Sequence, residues 1–131
     1  MIRNILAVLV GIAVGGLTVG GVEMLGHRLF PPPEGLDPSN PESISAAIEQ
    51  MPWVALLFVP LAWFVGTLVG TALAANLASS HRIHCAYVVG GLMLLGGVTT
   101  LLRIPHPYWL TLLGVFVFFP STWIGARLSA N

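Results

Sequence analysis

Four long apolar runs, at 5–25, 53–78, 84–102 and 108–128, alternate with short polar stretches along the chain. A helix needs about 20 mostly apolar residues to cross the hydrocarbon core of a bilayer. The first, second and fourth runs reach that length. The third is shorter, but it holds no charge between His84 and Arg103. Irregular backbone cannot face lipid, and no run shows the alternation of a barrel strand, so all four are expected as helices. The expected fold is all-α: an integral membrane four-helix bundle forming a single domain over residues 1–131.

The polar stretches set the connections. The loop at 27–52 is the one sizeable piece outside the four runs. It opens with Phe30 and three prolines, which favour extended backbone. Gly35 and the segment from Asp37 to Asn40 read as turns. Ser39 or Asn40 then caps a short helix with Pro41 in its first position and Glu42 in its first turn. Ile44, Ala47, Ile48 and Met51 share one face of that helix, so it is amphipathic and should lie along the bundle or the bilayer surface. The other connections, at 79–83 and 103–107, are short enough to make antiparallel neighbours. Trp53, Tyr108 and Trp109 begin runs, where aromatic rings settle at headgroup depth.

Charge suggests an orientation. With the N-terminus cytoplasmic, Arg3, Arg82 and Arg127 lie inside, and Arg28 and Arg103 lie outside. Three against two favours both termini inside and the 27–52 loop outside. All five acidic residues, Glu23, Glu34, Asp37, Glu42 and Glu49, then fall at or beyond the outer boundary. The first run is too long for a signal-peptide core and no Ala-x-Ala site ends it, so it is read as a retained span.

Composition narrows the class. The chain is 56% hydrophobic and 8% charged, whereas a soluble domain carries about a quarter charged residues. Its formal net charge is zero, which leaves no basic footprint for nucleic acid. The single Cys85 excludes an intramolecular disulfide.

Small residues recur at helical spacing: Gly11/Gly15, Gly16/Gly20 with Ala13, Gly66/Gly70/Ala74, and Ser121/Gly125/Ser129. Such strips let helix backbones approach closely. They serve either to pack the four helices of this chain or to form a homodimer face or a contact with a larger complex. The face carrying Gly16 and Gly20 is expected to be buried against another helix. Pro60 and Pro120 lie inside runs; each removes a backbone hydrogen bond and should kink its helix. Trp63 lies about 15 Å along the helix from Trp53, too deep for the interface. It is expected to fill the groove beside Gly66 and Gly70.

A faint internal repeat is visible. Gly15-Gly16-Leu17-Thr18 matches Gly96-Gly97-Val98-Thr99, and the segments around Pro60-Leu61-Ala62-Trp63 and Pro120-Ser121-Thr122-Trp123 share their proline and tryptophan. The corresponding repeat axis would run along the membrane normal. The competing explanation is that glycine, phenylalanine and tryptophan are common in membrane helices.

Two polar clusters carry candidate chemistry. His81, His84 and Cys85 form a His-x-x-His-Cys run, but a structural metal site wants about four ligands. A polar turn with Cys85 as a small apolar residue is the leading reading there. On the outer side, Glu23 and His27 are one helical turn apart, and His106 stands between two prolines before the fourth run. Glu23, His27 and His106 suit a metal with an open position, His27 and His106 suit the axial positions of a haem, and the set suits a proton relay. The competing role is structural: Glu23 satisfied by His27, Arg28 or Arg103, pinning helix ends together. Either way, Glu23 and His27 are expected to face into the bundle within hydrogen-bond or one-water reach, with His106 or an arginine nearby.

The pattern Glu23-x-x-Gly26-His27-x-x-Phe30-Pro31-Pro32-Pro33-x-Gly35-x-Asp37, with Pro105-His106-Pro107-x-Trp109 later, resembles a group of small four-span bacterial membrane proteins. The resemblance covers nearly the whole chain and implies the fold and a bacterial cytoplasmic membrane, but no activity. Small multidrug exporters also have four spans and a glutamate in the first. Here Glu23 stands near the end of its span and the first loop is long, which sets the chain apart from them. Four-span DoxX-like proteins are similar in size only.

The leading functional expectation is non-enzymatic: a small membrane protein that acts by association, with itself or as an accessory subunit of a larger complex, needing no cofactor. A metal, haem or proton site at Glu23, His27 and His106 comes second, and a small transporter third.

Overall fold

In the computed structural model of the protein, residues 2–31, 37, 39–103 and 107–128 are described. Seven helices follow in chain order: α1 (Ile2–Leu29), α2 (Pro41–Gln50), α3 (Trp53–Leu56), α4 (Phe58–Leu77), α5 (Arg82–Arg103), α6 (Tyr108–Phe116) and α7 (Phe118–Leu128). No strand occurs among the described residues. Four helical stretches are long and apolar enough to cross a membrane: Ile2–Leu29, Trp53–Leu77, Arg82–Arg103 and Tyr108–Leu128. The described chain is all-helical with the apolar lengths that membrane spans require.

The second and fourth stretches are each broken at one residue, Leu57 and Val117. Each break lies three residues before a proline, Pro60 and Pro120. Proline has no N–H for the carbonyl four residues earlier, and its ring crowds that turn. Both break residues stay in the right-handed helical region, Leu57 at φ −65° and ψ −18° and Val117 at φ −63° and ψ −22°. The chain therefore crosses without a loop. The two halves share this layout, a long helix followed by a proline-broken one, although Trp63 is buried and Trp123 exposed.

Helix α4 is the hub, packing against α1, α5 and α7. Its contact with α1 is glycine on glycine. A Cβ on Gly11 would lie 2.7 Å from the Gly70 carbonyl oxygen, and one on Gly70 would lie 2.6 Å from the Gly11 carbonyl oxygen. Gly15 and Gly66 repeat the arrangement one turn along, at 2.9 Å and 2.7 Å. Backbones this close gain dispersion contacts in an environment where lipid tails are as apolar as leucine.

The expected burial of Gly16 and Gly20 is not what occurs. Neither has any atom within 4 Å of the position a Cβ would take, and Ala13 is exposed with them. Gly16 follows Gly15 by one residue and so points about 100° away from it. Once Gly11 and Gly15 define the inner face, Ala13, Gly16 and Gly20 must face outward. Gly66, Gly70, Ala74, Ser121 and Gly125 are buried in the chain's own packing, while Ser129 lies outside the described residues.

On its other side α4 meets α5 and α7. Trp63 stacks on Phe118, centroids 5.5 Å apart and rings at 30°. Gly97 and Gly114 give the two rings room: a Cβ at Gly114 would lie 2.8 Å from Trp63 and one at Gly97 would lie 2.6 Å from Phe118. Trp63 therefore fills a groove, but the one lined by α5, α6 and α7. The expected groove beside Gly66 and Gly70 is occupied by α1.

The chain end of α1 is tied to the α4–α5 turn. Arg3 Nε donates to the Leu77 carbonyl at 2.8 Å. Asn4 Oδ1 accepts from the backbone N–H of Ser79 at 3.0 Å and of Ser80 at 3.3 Å, and its Nδ2 donates to Ser80 Oγ at 3.1 Å. These bonds hold a turn that places His81 at φ 49°, in the left-handed region that side chains rarely adopt.

Between α1 and α2 the expected cap forms. Asn40 Oδ1 accepts from Glu42 N–H at 3.0 Å, satisfying one free donor of the α2 N-terminus. Asp37 Oδ1 accepts from the backbone N–H and the hydroxyl of Ser39, at 3.0 Å and 2.6 Å. Ala47 is buried and Ile44 half-buried, as an amphipathic helix requires.

Candidate functional site

The expected cluster of Glu23, His27, His106, Arg28 and Arg103 is described only in part, and the described members do not all face inward. Helix α1 continues unbroken past Glu23 and His27 to Leu29. Its inner face near this end is set by Gly26, whose missing Cβ makes room for Phe58. His27, one residue on, points about 100° away and is exposed. Glu23, about 60° from Gly26, is half-buried at the edge of the contact. Arg28 and Arg103 are exposed. No hydrogen bond or ion pair joins Glu23 to His27, Arg28 or Arg103 among the described residues. His106, the third member of the expected set, lies outside the described residues. Among those described, no group of three or more His, Cys, Asp or Glu is placed to hold a metal ion.

The His81–His84–Cys85 run is separated by the helix start. The two imidazoles meet edge to face with centroids 5.8 Å apart. Cys85 turns inward and packs with Ala7 and Ala78. It is a small apolar core residue here.

A buried hydroxyl layer is the feature the motif reading missed. Thr67, Thr71 and Ser121 are fully buried and Thr122 nearly so. Thr71 Oγ1 donates to the Thr67 carbonyl at 2.7 Å, Ser121 Oγ to Val117 at 2.6 Å, and Thr122 Oγ1 to Phe118 at 2.6 Å. Each bond returns to a carbonyl one turn earlier on the same span, so these hydroxyls are polar groups made safe for an apolar interior. Gly125 makes room for Thr71, and Gly90 for Thr122. Only Thr67 Oγ1 has no partner among the described residues. The signal was present as Thr67/Thr71 and Ser121/Thr122 beside glycines at helical spacing.

What remains as a candidate site is the outward face of α1. Gly16, Gly20 and Gly21 open onto empty space, beside Leu17, which is 77% exposed, and Met24, which is 58% exposed. Such a face cannot perform acid–base or nucleophilic chemistry. It can receive lipid or another helix.

No family model matches the chain, and neither a curated protein nor a solved structure does.

Proposed function

We propose that this is a small integral membrane protein that acts by association, through the outward face of α1, with a second copy or as an accessory subunit of a larger membrane complex. One observation carries the reading. Gly16, Gly20 and Gly21 sit mid-helix with nothing packed against them. Each costs about 1 kcal/mol of helix propensity relative to alanine, and no contact within the chain offsets that cost. A smooth strip of Ala13, Gly16 and Gly20 spans about 60° of helix surface and admits a neighbouring backbone as Gly11 and Gly15 admit α4.

In this proposal the chain is a four-helix bundle in a bacterial cytoplasmic membrane with both termini inside and the loop before α2 outside, on the weight of Arg3, Arg82 and Arg127. A cysteine at Ser39 in a Cys85-free background should label from the outside. The association itself is tested by single-molecule photobleaching in nanodiscs or native membranes. Gly16→Leu and Gly20→Leu should shift the parent's copy number or partner content toward the isolated chain. Unchanged assembly in both variants sinks the reading. The alternative, a metal, haem or proton site at Glu23, His27 and His106, has less support because His27 is exposed. Co-purified metal or a haem spectrum lost in Glu23→Gln would restore it.

A further inference from the structure

The charges of this chain are sorted to its two ends. One end carries Arg3, Arg82 and Arg127 and no Asp or Glu. Their common location is fixed by contacts: Arg3 bonds the Leu77 carbonyl next to the α4–α5 turn, Ala7 packs with Ala78 and Cys85, and Ala75, Ala86 and Ala126 form one cluster beneath Arg127. His81 and His84 stand at the same end, with Arg82 between them in sequence. The five carboxylates, with Arg28 and Arg103, belong to the rest of the chain, so the balance is +3 at this end against −5 + 2 = −3 elsewhere.

Two of the three arginines are held in place by the chain itself. Arg3 is anchored through Nε, and its terminal nitrogens make no hydrogen bond among the described residues. Arg127 lies over the Trp123 ring at 5.1 Å, and Trp123 is 52% exposed. An exposed indole beside a guanidinium is an arrangement suited to the headgroup boundary. Arg82 is exposed and its guanidinium makes no hydrogen bond among the described residues. Among the described residues no carboxylate pairs with these three cations at the rim of an apolar helical body.

We infer that this rim is a docking surface for anionic phospholipid headgroups. The guanidinium fork matches the oxygens of a phosphodiester in a bidentate geometry. Each arginine near an anionic membrane surface strengthens attraction by about fivefold. The lipid's acyl chains lie along the exposed apolar flanks of the same helices, which a soluble anion cannot use. The inference is independent of whether α1 associates.

Native mass spectrometry of the full chain in detergent, with equal amounts of dioleoylphosphatidylglycerol and dioleoylphosphatidylcholine added, tests it. The parent should retain the anionic lipid several-fold over the zwitterionic one. Arg82→Gln with Arg127→Gln should reduce that preference about tenfold or more, while Arg82→Lys, which keeps the charge but not the fork, should lose less than Arg82→Gln. Arg28→Gln with Arg103→Gln, at the other end, should leave it unchanged. Circular dichroism of each variant shows whether the helices persist; Arg82→Gln alone, which removes no contact within the described chain, carries the test if the double variant does not fold. Equal retention of the two lipids by the parent overturns the inference, as does an equal loss in the Arg28/Arg103 variant. Displacement of the anionic lipid by equimolar inorganic phosphate would show a free-phosphate site and overturn it too.

Discussion

Helix α1 carries two glycine pairs five residues apart, and they meet opposite surroundings. Gly11 and Gly15 press against the backbone of Gly70 and Gly66, so that any Cβ would collide with a carbonyl oxygen. Gly16 and Gly20 touch nothing. The two pairs have the same spacing, the same helix and similarly apolar neighbours. What separates them is a rotation of about 140°. A small-residue strip is thus a capacity for close approach, and only the partner helix decides which strip uses it. The difference also divides the molecule: half of the most apolar window of the Trp53–Leu77 span is buried within the chain, at 50%, against 17% for α1. Helix α1 is a flank, and α4 is the core.

The sharpest test sets the core against the flank. Trp63→Ala opens a cavity between Gly97, Gly114 and Phe118 and should cost about 3–5 kcal/mol. Leu17→Ala, on the outward face of α1, should stay within about 0.5 kcal/mol. Thermal or denaturant unfolding in detergent, read by circular dichroism, measures both. Equal costs would dissolve the distinction between the two regions.

The glycine comparison itself is next in size. Gly15→Leu forces a side chain toward the Gly66 carbonyl and should destabilise by about 1–3 kcal/mol or more. Gly16→Leu should leave the unfolding midpoint of the isolated chain unchanged or raised, since leucine is the better helix former by up to about 1 kcal/mol. If Gly16→Leu unfolds the chain as readily as Gly15→Leu, the inner face of α1 has been assigned to the wrong pair.

Smaller effects refine the picture of the α4 core. Thr67→Val removes a fully buried hydroxyl that has no partner and should stabilise by about 1 kcal/mol. Thr71→Val removes bonds to the Thr67 and Leu68 carbonyls and should be neutral or mildly destabilising, by about 0.5 kcal/mol. A loss of stability in Thr67→Val would reveal a water bound to that hydroxyl.

The smallest effect lies outside the helices. The Ser39 hydroxyl and then the Ser39 backbone N–H hold the Asp37 carboxyl below its usual range. A depressed carboxyl contributes stability above its unfolded value, about 3.9, and loses it as pH falls through the lower folded value. The protection factor against hydrogen exchange at the α2 N-terminus should therefore fall below about pH 3.9 in the parent and lose that acid dependence in Asp37→Asn.

The four spans, their number and their approximate ends were legible in the sequence because length and apolar content alone decide whether a segment can cross a bilayer. The proline breaks, the Asn40 cap and the amphipathic α2 were legible for the same kind of reason: each rests on local backbone chemistry within a few residues. The choice of Gly15 over Gly16, the inward turn of Trp63 but not Trp123, the hydroxyl layer at Thr67 and Thr71, and the outward turn of His27 were decided only by tertiary structure. A helix in water announces its inner face by alternating apolar and polar sides. In these spans the lipid side and the protein side are equally apolar, so periodicity carries no such mark, and the facing direction is set by which backbones can approach most closely.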